Sequence, residues 1–518
     1  MKETIRKYWD SALLALFIGI NSIYIWLNGR DLLNSDVAAE LMLAKQLNTE
    51  GKLLSRNWFY SSELRVLNTQ LIYKPSFALF PNDWHKARTL SVLLFLLVLT
   101  VCAFVLAHAL DNRKAAPLFA LIMIAPCSNW YGWNVVYNSY YVPHIAITAI
   151  ALSLYLKLLV SRNREHVYML FLASAVLAFI AGLGGVRQLM ICYAPLFIAT
   201  AAYVWQKRKP EHKEEIRSAI FSIVGICTAS CVGFLVNHLV LRHIFVFENR
   251  ADLVWEDFSI TNLLKCVSDL IGLYGWHNDI QVLSVYSLGN LLSLVLVGLL
   301  VYCVIWCLKK RDLTDAEQIA VYFEIASFAV LLPLYSFTES YNASYWTVFQ
   351  PFAFIAVWIW IKYQLDKYKR AAAVVLTVLT MIICSAATMK NPFINWVPDS
   401  TKIQPAASWL KVNGYTQGFA HFWDSDVVTA LTDGTIEMWT VNDLTPIEID
   451  EWLQATAHSE RLPDGRFFIL CPSHTYENDE SITADMLGLI QPHLVYGDEN
   501  YYIYSYDTIS DYESIIGK

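Results

Sequence analysis

The fold is indicated by residues 11–40, which read SALLALFIGINSIYIWLNGRDLLNSDVAAE. Residues 11–28 are an apolar run with no small-residue cleavage site after it, so we expect an uncleaved first membrane span. A spanning helix needs about 20 mainly apolar residues, because lipid offers the backbone no hydrogen-bond partners. Ten further stretches meet this requirement: 87–110, 115–133, 141–160, 167–186, 188–205, 218–241, 286–308, 316–337, 345–363 and 371–389.

The composition excludes a soluble globular enzyme. Hydrophobic residues make up 56% of the 518 residues and charged residues only 16%, whereas soluble domains average about 45–50% and about 25%. Residues 390–518 differ, with 20 Asp and Glu against 6 Lys and Arg, a formal charge of −14 in a chain whose total is −7. We expect an α-helical polytopic membrane core over 1–389 and a soluble domain over 390–518. Nothing indicates nucleic acid binding.

The distribution of Lys and Arg predicts the orientation, because cytoplasmic loops are enriched in these residues. With the N-terminus in the cytoplasm, six short inside segments together carry 20 Lys and Arg, while the outside connections 134–140 and 338–344 carry none. Eleven spans then place the C-terminal domain on the extracytoplasmic side. The two large outside loops are 29–86 and 242–285, and the second contains a predicted interfacial helix with apolar residues at helical spacing from Leu263 to Tyr274.

The C-terminal region changes its hydrophobic period from helical to mixed. Helices are predicted over 405–413, 425–431, 447–457 and 482–491, and strands over 418–422, 436–441, 466–471 and 501–506. Alternating strands and helices of this length indicate a small α/β domain. The region has no Walker, dinucleotide-binding or nucleophile-elbow motif, so we expect an accessory role, covering the active face or helping to bind an acceptor.

The first outside loop opens with Asn34-Ser35-Asp36, followed by apolar residues at helical spacing that predict a short helix at the membrane surface. Asp36 has two compatible interpretations: a cap of this helix, or a carboxylate that faces a cavity and acts as a general base. Glu40 and Glu63 are further acids in this loop that could assist Asp36. Glu324 lies inside the ninth span, where a carboxylate is either functional or paired with a hydroxyl group.

Four basic residues near the outside surface are candidates for neutralising a bound phosphate or diphosphate. Each has an alternative, because a lone Arg or Lys at this depth often extends its charge to lipid phosphate. Arg187 follows a glycine-rich turn, Gly182-Leu183-Gly184-Gly185, which would let a ligand approach closely. The four residues are Arg65, Lys74, Arg88 and Arg187.

These features resemble the GT-C superfamily of integral membrane glycosyltransferases, nearest to the protein O-mannosyltransferase and lipid A aminoarabinose transferase type. Asp36 matches the position of that family's catalytic acid, and Lys86-Ala87-Arg88-Thr89-Leu90-Ser91 is similar to the run that begins its second span. Gly185-Val186-Arg187-Gln188 resembles its later Gly-x-Arg turn. Val37 follows Asp36 here, where the mannosyltransferase branch has Asp-Glu.

The resemblance implies a donor sugar carried on polyprenyl phosphate that enters from the bilayer, and an acceptor on the extracytoplasmic side. Asp36 would activate an acceptor hydroxyl, which attacks the anomeric carbon with inversion. Arg65, Arg88 and Arg187, with Lys74, would stabilise the leaving lipid phosphate. Some branches use a divalent cation, so Mg²⁺ or Mn²⁺ beside Asp36, Glu40 and Glu63 stays open, and no cofactor is certain.

Other functional classes fit the sequence less well. A polysaccharide polymerase or O-antigen ligase also uses lipid-linked sugars, but such enzymes usually concentrate arginines in one large outside loop. In loop 242–285, Arg242 and Arg250 are the only arginines. A lipid or solute transporter predicts repeats and several polar residues in mid-membrane, of which Glu324 is the clear example. A non-catalytic scaffold predicts no carboxylate that faces a cavity.

Overall fold

The computed structural model describes residues 2–61, 64, 66–247, 255–257, 259–276, 287–339, 341–363, 400–473 and 493–516. Within these ranges, eight helices are long and apolar enough to cross a membrane. Most of the predicted spans correspond to one of them. The eight are Asp10–Asn28, Trp84–Ala109, Val142–Val160, Arg164–Leu183, Leu189–Gln206, Lys213–His243, Gly289–Lys309 and Asp315–Ser336.

Fourteen helices and one short strand pair make up the described part of the core. The strands β1 (Phe59–Tyr60) and β2 (Val246–Phe247) are parallel and join the loops 29–86 and 242–285, which the sequence predicts to lie outside. The helices are α1 (Lys2–Asn28), α2 (Ser35–Glu50), α3 (Gln70–Leu79), α4 (Trp84–Ala109), α5 (Ala116–Ile124), α6 (Asn129–Tyr131), α7 (Val142–Val160), α8 (Arg164–Leu183), α9 (Ala194–Gln206), α10 (Lys213–Leu239), α11 (Ile260–Gly272), α12 (Ser287–Lys309), α13 (Asp315–Ser336) and α14 (Ile355–Tyr363).

The count of eleven spans is not confirmed. The predicted span 115–133 breaks after α5, because Pro126 disfavours the helical conformation at Ala125, which is extended (φ −84°, ψ 123°). The chain then forms α6 and a π-helical segment, Gly132–Tyr137. The predicted span 345–363 consists of 3-10 segments followed by α14. The predicted span 371–389 and the domain boundary near 390 lie outside the described residues.

Helices α8 and α10 cross closely through small residues. A methyl group at Gly182 would overlap the carbonyl oxygen of Ser230, and one at Gly233 would overlap that of Phe179. Small residues let helix backbones approach in a membrane, where van der Waals packing rather than hydrophobic burial drives association. This contact fixes the end of α8, from which the chain continues into the turn before Arg187.

The C-terminal domain is an α/β domain, as the sequence predicts. Its strands β3 (Gln417–Ala420), β4 (Glu437–Leu444), β5 (Ile447–Ile449), β6 (Phe467–Pro472), β7 (Leu494–Gly497) and β8 (Tyr501–Tyr506) form one sheet in the order β5-β4-β3-β6-β8-β7. Strand β3 is parallel to β4 and β6, and β8 is antiparallel to β6. The helices are α15 (Gln404–Val412), α16 (Phe422–Leu431), α17 (Ala457–Glu460) and α18 (Ile509–Ile516).

One predicted element of this domain is wrong. Residues 447–449 are the edge strand β5 instead of the start of a helix over 447–457, because the chain turns back after Leu444 and pairs antiparallel with β4. Pairing between strands overrides the local preference of this segment. The predicted helix 482–491 lies outside the described residues.

The C-terminal domain packs directly on the first outside loop. Helix α16 lies against α2, and Trp58 of the loop bridges antiparallel to Ala455. The backbone N–H of Phe59 donates to the carbonyl of Gln454 (2.9 Å), and the N–H of Trp84, at the start of α4, donates to Asp433 Oδ1 (3.0 Å). These contacts hold one face of the domain over the residues that follow α1.

Candidate active site

A cavity of about 420 Å³ lies between the membrane core and the C-terminal domain. Small-molecule sites are usually about 300–1,000 Å³ in volume. The cavity is lined by the first outside loop, by segments at the ends of α7, α8 and α13, and by the C-terminal domain. The lining residues are Asn34, Asp36, Glu40, Ser61, Asn68, Trp130, Trp133, Asn134, Tyr140, Tyr141, His144, Arg187, Asn342, Ser344, Tyr345, Trp423, Trp452 and Leu453.

Asp36 faces this cavity from the first turn of α2. The cap of α2 is Asn34, whose Oδ1 accepts from the N–H of Val37 (3.1 Å), so the prediction that Asp36 caps the helix is wrong. A carboxylate in a first helical turn is stabilised by the helix dipole. Helix α2 is also buried on most sides instead of lying on the membrane surface, because α3 and α16 cover it.

Glu40 lies one turn after Asp36 on the same side of α2 and also lines the cavity. Its carboxylate is buried and accepts a hydrogen bond from the Thr69 hydroxyl (2.5 Å). Within the part of the chain that the structure describes, no group of three or more His, Cys, Asp and Glu could hold a metal ion. Asp36 and Glu40 are nevertheless two carboxylates in one cavity, and Mg²⁺ commonly binds one or two carboxylates together with substrate phosphates.

Arg187 enters the same cavity from the turn after α8. Gly185 has a φ of 134°, in the region that favours glycine, which lets the chain reverse tightly before the arginine. The guanidinium carbon of Arg187 lies 5.4 Å from the ring centre of Tyr141 and 5.7 Å from that of Tyr345. Two aromatic rings hold the cation by cation–π attraction. A guanidinium is also the side-chain group that binds phosphate and carboxylate with two parallel hydrogen bonds.

The aromatic partner Tyr345 belongs to a segment that α11 holds in place. The Tyr341 hydroxyl donates to Asp269 Oδ2 of α11 (2.9 Å), and burial raises the pKa of this carboxyl. Exposed Ile260 and Leu264 lie on the outer side of α11, consistent with the predicted interfacial helix. Asn342, Ser344 and Tyr345 then line the cavity.

The other predicted site residues do not line the cavity or are not described. Arg88 is buried away from it, and Lys74 Nζ donates to the carbonyl of Lys52 (2.6 Å). Arg65 and Glu63 lie outside the described residues. Glu324 is buried in α13 and accepts from the backbone N–H of Ala356 (2.8 Å), so it satisfies the first turn of α14. Its partner is a backbone group instead of the expected hydroxyl.

Sequence reasoning missed the aromatic and amide lining of the cavity. Trp130 and Trp133 fall within the predicted span 115–133, but they line the cavity in segments that follow the break of this span at Ala125. The Pro126 signal was present in the sequence. Trp423 and Trp452 come from the C-terminal domain, and only the docking of that domain brings them to the site.

Asp426 is a further acid close to the cavity. It is fully buried in α16, the helix that packs on α2. Burial raises the pKa of Asp426 well above its ordinary value, and the charges of Asp36 and Asp450 raise it further. The carboxyl group of Asp426 is therefore harder to ionise than an exposed carboxyl group.

The chain is similar to known proteins in its structure but not detectably in its sequence. No protein family and no curated protein matches the sequence. The crystal structure of ArnT from Cupriavidus metallidurans has a TM-score of 0.60 with this chain at 12% identity in the apo state, and of 0.60 at 11% identity bound to undecaprenyl phosphate. Each alignment covers 96% of this chain and 98% of ArnT. The chain has the GT-C fold.

A second GT-C structure supports this fold. The apo oligosaccharyltransferase of Archaeoglobus fulgidus has a TM-score of 0.51 at 12% identity, over 84% of this chain and 64% of that chain. The expectation of a helical GT-C membrane core with a C-terminal α/β domain is therefore confirmed. The ArnT-like fold and the eight apolar helices identify a multi-pass membrane protein.

Proposed function

We propose that this chain is a membrane glycosyltransferase that moves a sugar from a polyprenyl-phosphate donor to an extracytoplasmic acceptor. The observation that carries the proposal is that Asp36 and Arg187 line one cavity, although 150 residues separate them in the sequence. One is a base for a hydroxyl group and the other a cation for a phosphate. The GT-C fold and the ArnT structure bound to undecaprenyl phosphate support the choice of donor.

In the proposed reaction, Asp36 accepts the proton of an acceptor hydroxyl as its oxygen attacks the anomeric carbon. The bond between that carbon and the phosphate oxygen breaks, and the lipid phosphate leaves with the bonding electron pair. Arg187 stabilises the negative charge that develops on this oxygen. Because attack and departure occur on opposite faces of the carbon, the configuration inverts.

A divalent cation fits the donor set but is not required by it. Mg²⁺ or Mn²⁺ would be held by Asp36 and Glu40 with the donor phosphate, and it would neutralise charge on the leaving group. Transfer rates measured in EDTA and after Mg²⁺ or Mn²⁺ is added back test this directly.

The cavity lies on the side that the Lys and Arg distribution assigns to the outside. Most of its lining residues follow the C-terminal ends of α1, α8 and α13 or lie at the N-terminal end of α7. The basic loops lie at the opposite ends of these helices, for example around Lys157–Arg164. We therefore place the N-terminus in the cytoplasm and the C-terminal domain outside.

The acceptor, in this proposal, binds against the wall formed by the C-terminal domain. Trp423 is 48% exposed although it lines the cavity, and Trp452 and Leu453 lie beside it. The rest of the cavity lining includes four side-chain amide groups, those of Asn34, Asn68, Asn134 and Asn342. Aromatic faces with a few placed polar groups suit a ligand with both apolar and hydroxylated surfaces, such as a glycan or a glycolipid.

The test is a transfer assay with the full-length protein in lipid nanodiscs. Radiolabelled polyprenyl-phosphate sugars extracted from membranes are added together with a membrane acceptor fraction, and labelled acceptor and free polyprenyl phosphate are separated by chromatography. We expect both products to appear in equal amounts, with inverted configuration by NMR. Transfer of a whole polysaccharide would favour the ligase alternative. In sealed proteoliposomes, movement of the donor across the bilayer without cleavage would favour the transporter and overturn the proposal.

A further inference from the structure

Arg88 is not part of the cavity lining, and both terminal nitrogens of its guanidinium donate hydrogen bonds to the protein. It is 2% exposed, and it donates to the carbonyls of Gly29 and Leu32 (3.0 Å for Leu32) and to Asn138 Oδ1 (2.5 Å). These acceptors belong to two segments, the turn after α1 and the loop before α7. One buried cation therefore joins both segments that frame the site.

The loop before α7 has a conformation that needs such support. Asn138 is fully buried, its N–H donates to the carbonyl of Trp133 (3.1 Å), and its own carbonyl accepts from the Tyr73 hydroxyl (3.4 Å). Ser139 has a φ of 65°, a left-handed conformation that L-residues other than glycine rarely adopt. A non-glycine residue keeps this conformation only where surrounding contacts hold its backbone in place. The hydrogen bond from Arg88 to the neighbouring Asn138 is one of these contacts.

The chain reverses at Ser139, and the next residue, Tyr140, contacts Asn34, the N-cap residue of α2. The Tyr140 hydroxyl donates to Asn34 Oδ1 (2.5 Å), the same oxygen that accepts from the N–H of Val37. Burial raises the pKa of Tyr140 well above its ordinary value, and the charge of Asp36 raises it further, so the hydroxyl stays a neutral donor. Asn34 is thus fixed from both sides, one residue before the first turn of α2.

From this arrangement we infer that Arg88 and Tyr140 are positioning residues that fix the orientation of Asp36 through Asn138, Ser139 and Asn34. The inference rests on the proposed function, because it concerns the base of that reaction. It also assigns Arg88 a role different from direct contact with the donor phosphate, because both terminal nitrogens of its buried guanidinium already donate to protein acceptors.

The first test is Tyr140→Phe, which removes only the hydroxyl group. We expect kcat to fall about tenfold while the KM for the polyprenyl donor and the melting temperature stay unchanged, because cap geometry changes but the cavity wall remains. Tyr302→Phe, on the exposed side of α12, is the matched control and should behave as wild type. If Tyr140→Phe keeps the wild-type kcat, the inference is wrong.

The second test separates positioning from phosphate binding. Arg88→Lys keeps the charge but cannot span three acceptors in the geometry of the guanidinium fork. We expect a loss in kcat, faster hydrogen exchange over residues 34–40, and unchanged binding of undecaprenyl phosphate by native mass spectrometry. Weaker undecaprenyl phosphate binding with normal exchange would overturn the inference in favour of direct contact. Arg113→Lys, an exposed position, is the control.

The double variant Arg88→Lys/Tyr140→Phe should lose little more kcat than the more affected single variant, because both act on one element. Failure of the inference is distinguishable from failure of the proposed function. If wild-type protein transfers no sugar, the proposed function fails. If wild-type protein transfers sugar and the two variants match it, only the inference fails.

Discussion

Gly434→Ala should separate the C-terminal domain from the membrane core. Gly434 has a φ of 70°, and a Cβ added there would lie 2.6 Å from Trp84 Cζ2 and 3.0 Å from Lys45 Nζ. The left-handed backbone costs about 1–2 kcal/mol with a side chain present. Overlap with the buried indole ring adds about 1–3 kcal/mol, as for other overpacked sites.

Gly414→Ala is the matched control, because it isolates the contact from the backbone effect. Gly414 has a φ of 71°, but a Cβ there would meet nothing within 4 Å. Both variants therefore carry the backbone cost, and only Gly434→Ala carries the overlap. The difference of about 1–3 kcal/mol corresponds to a population shift of about 5- to 150-fold between docked and undocked domains.

The assay is limited proteolysis of the nanodisc-embedded protein, with cleavage in the outside loops followed over time, together with the KM for the acceptor fraction. We expect Gly434→Ala to be cleaved faster than Gly414→Ala and to have a raised KM, because Trp423 and Trp452 leave the cavity. Equal proteolysis and equal KM in the two variants would refute the docking that the structure shows.

Three further predictions concern the site and the domain. Arg187→Lys should lower kcat about 100-fold, because an ammonium lacks the planar fork that two tyrosine rings hold, and transfer assays that give wild-type kcat would contradict this. Trp423→Ala should raise the KM for the acceptor up to about tenfold and leave kcat unchanged, because one aromatic ring that could stack on the acceptor is lost. Trp205→Ala, at an exposed position on α9, should have no effect in the same assay. Hydrogen bonding to His458 lowers the pKa of the Glu437 carboxyl group in the folded domain. This carboxylate therefore stabilises the folded domain fully above its unfolded pKa of about 4.3, and the stabilisation is lost as the pH falls through the lower folded-state pKa. Glu437→Gln should weaken this pH dependence of the free energy of unfolding, measured between pH 3 and pH 6.

The fold could be predicted from the sequence where one physical requirement dominates. Long apolar runs such as 87–110 have no stable alternative to a helix in lipid, so α4 was found within a few residues. The run 115–133 satisfied the same criterion, but Pro126 breaks it and a π-helical segment follows. Apolar composition alone does not distinguish a spanning helix from a broken segment buried among other helices.

The sequence predicted only those residues of the candidate site whose charge and position next to a predicted membrane boundary could be read from nearby residues. Asp36 and Arg187 could be selected because each is a charged residue beside a turn at a predicted membrane boundary. The placement of Arg88 could not, because its three acceptors come from segments about 50 to 60 residues away in the sequence. Trp423 likewise reaches the cavity only through the docking of a separate domain.

The most direct test of the central claim is the turnover of Asp36→Asn in the nanodisc transfer assay, beside Asp312→Asn. The second variant removes the same charge at an exposed position, with 70% of its side chain accessible. We expect Asp36→Asn to bind undecaprenyl phosphate normally and to lose sugar transfer by at least about 100-fold, as for loss of a general base. Asp312→Asn should retain activity. Transfer by Asp36→Asn at the wild-type rate would contradict the assignment of this cavity as the active site.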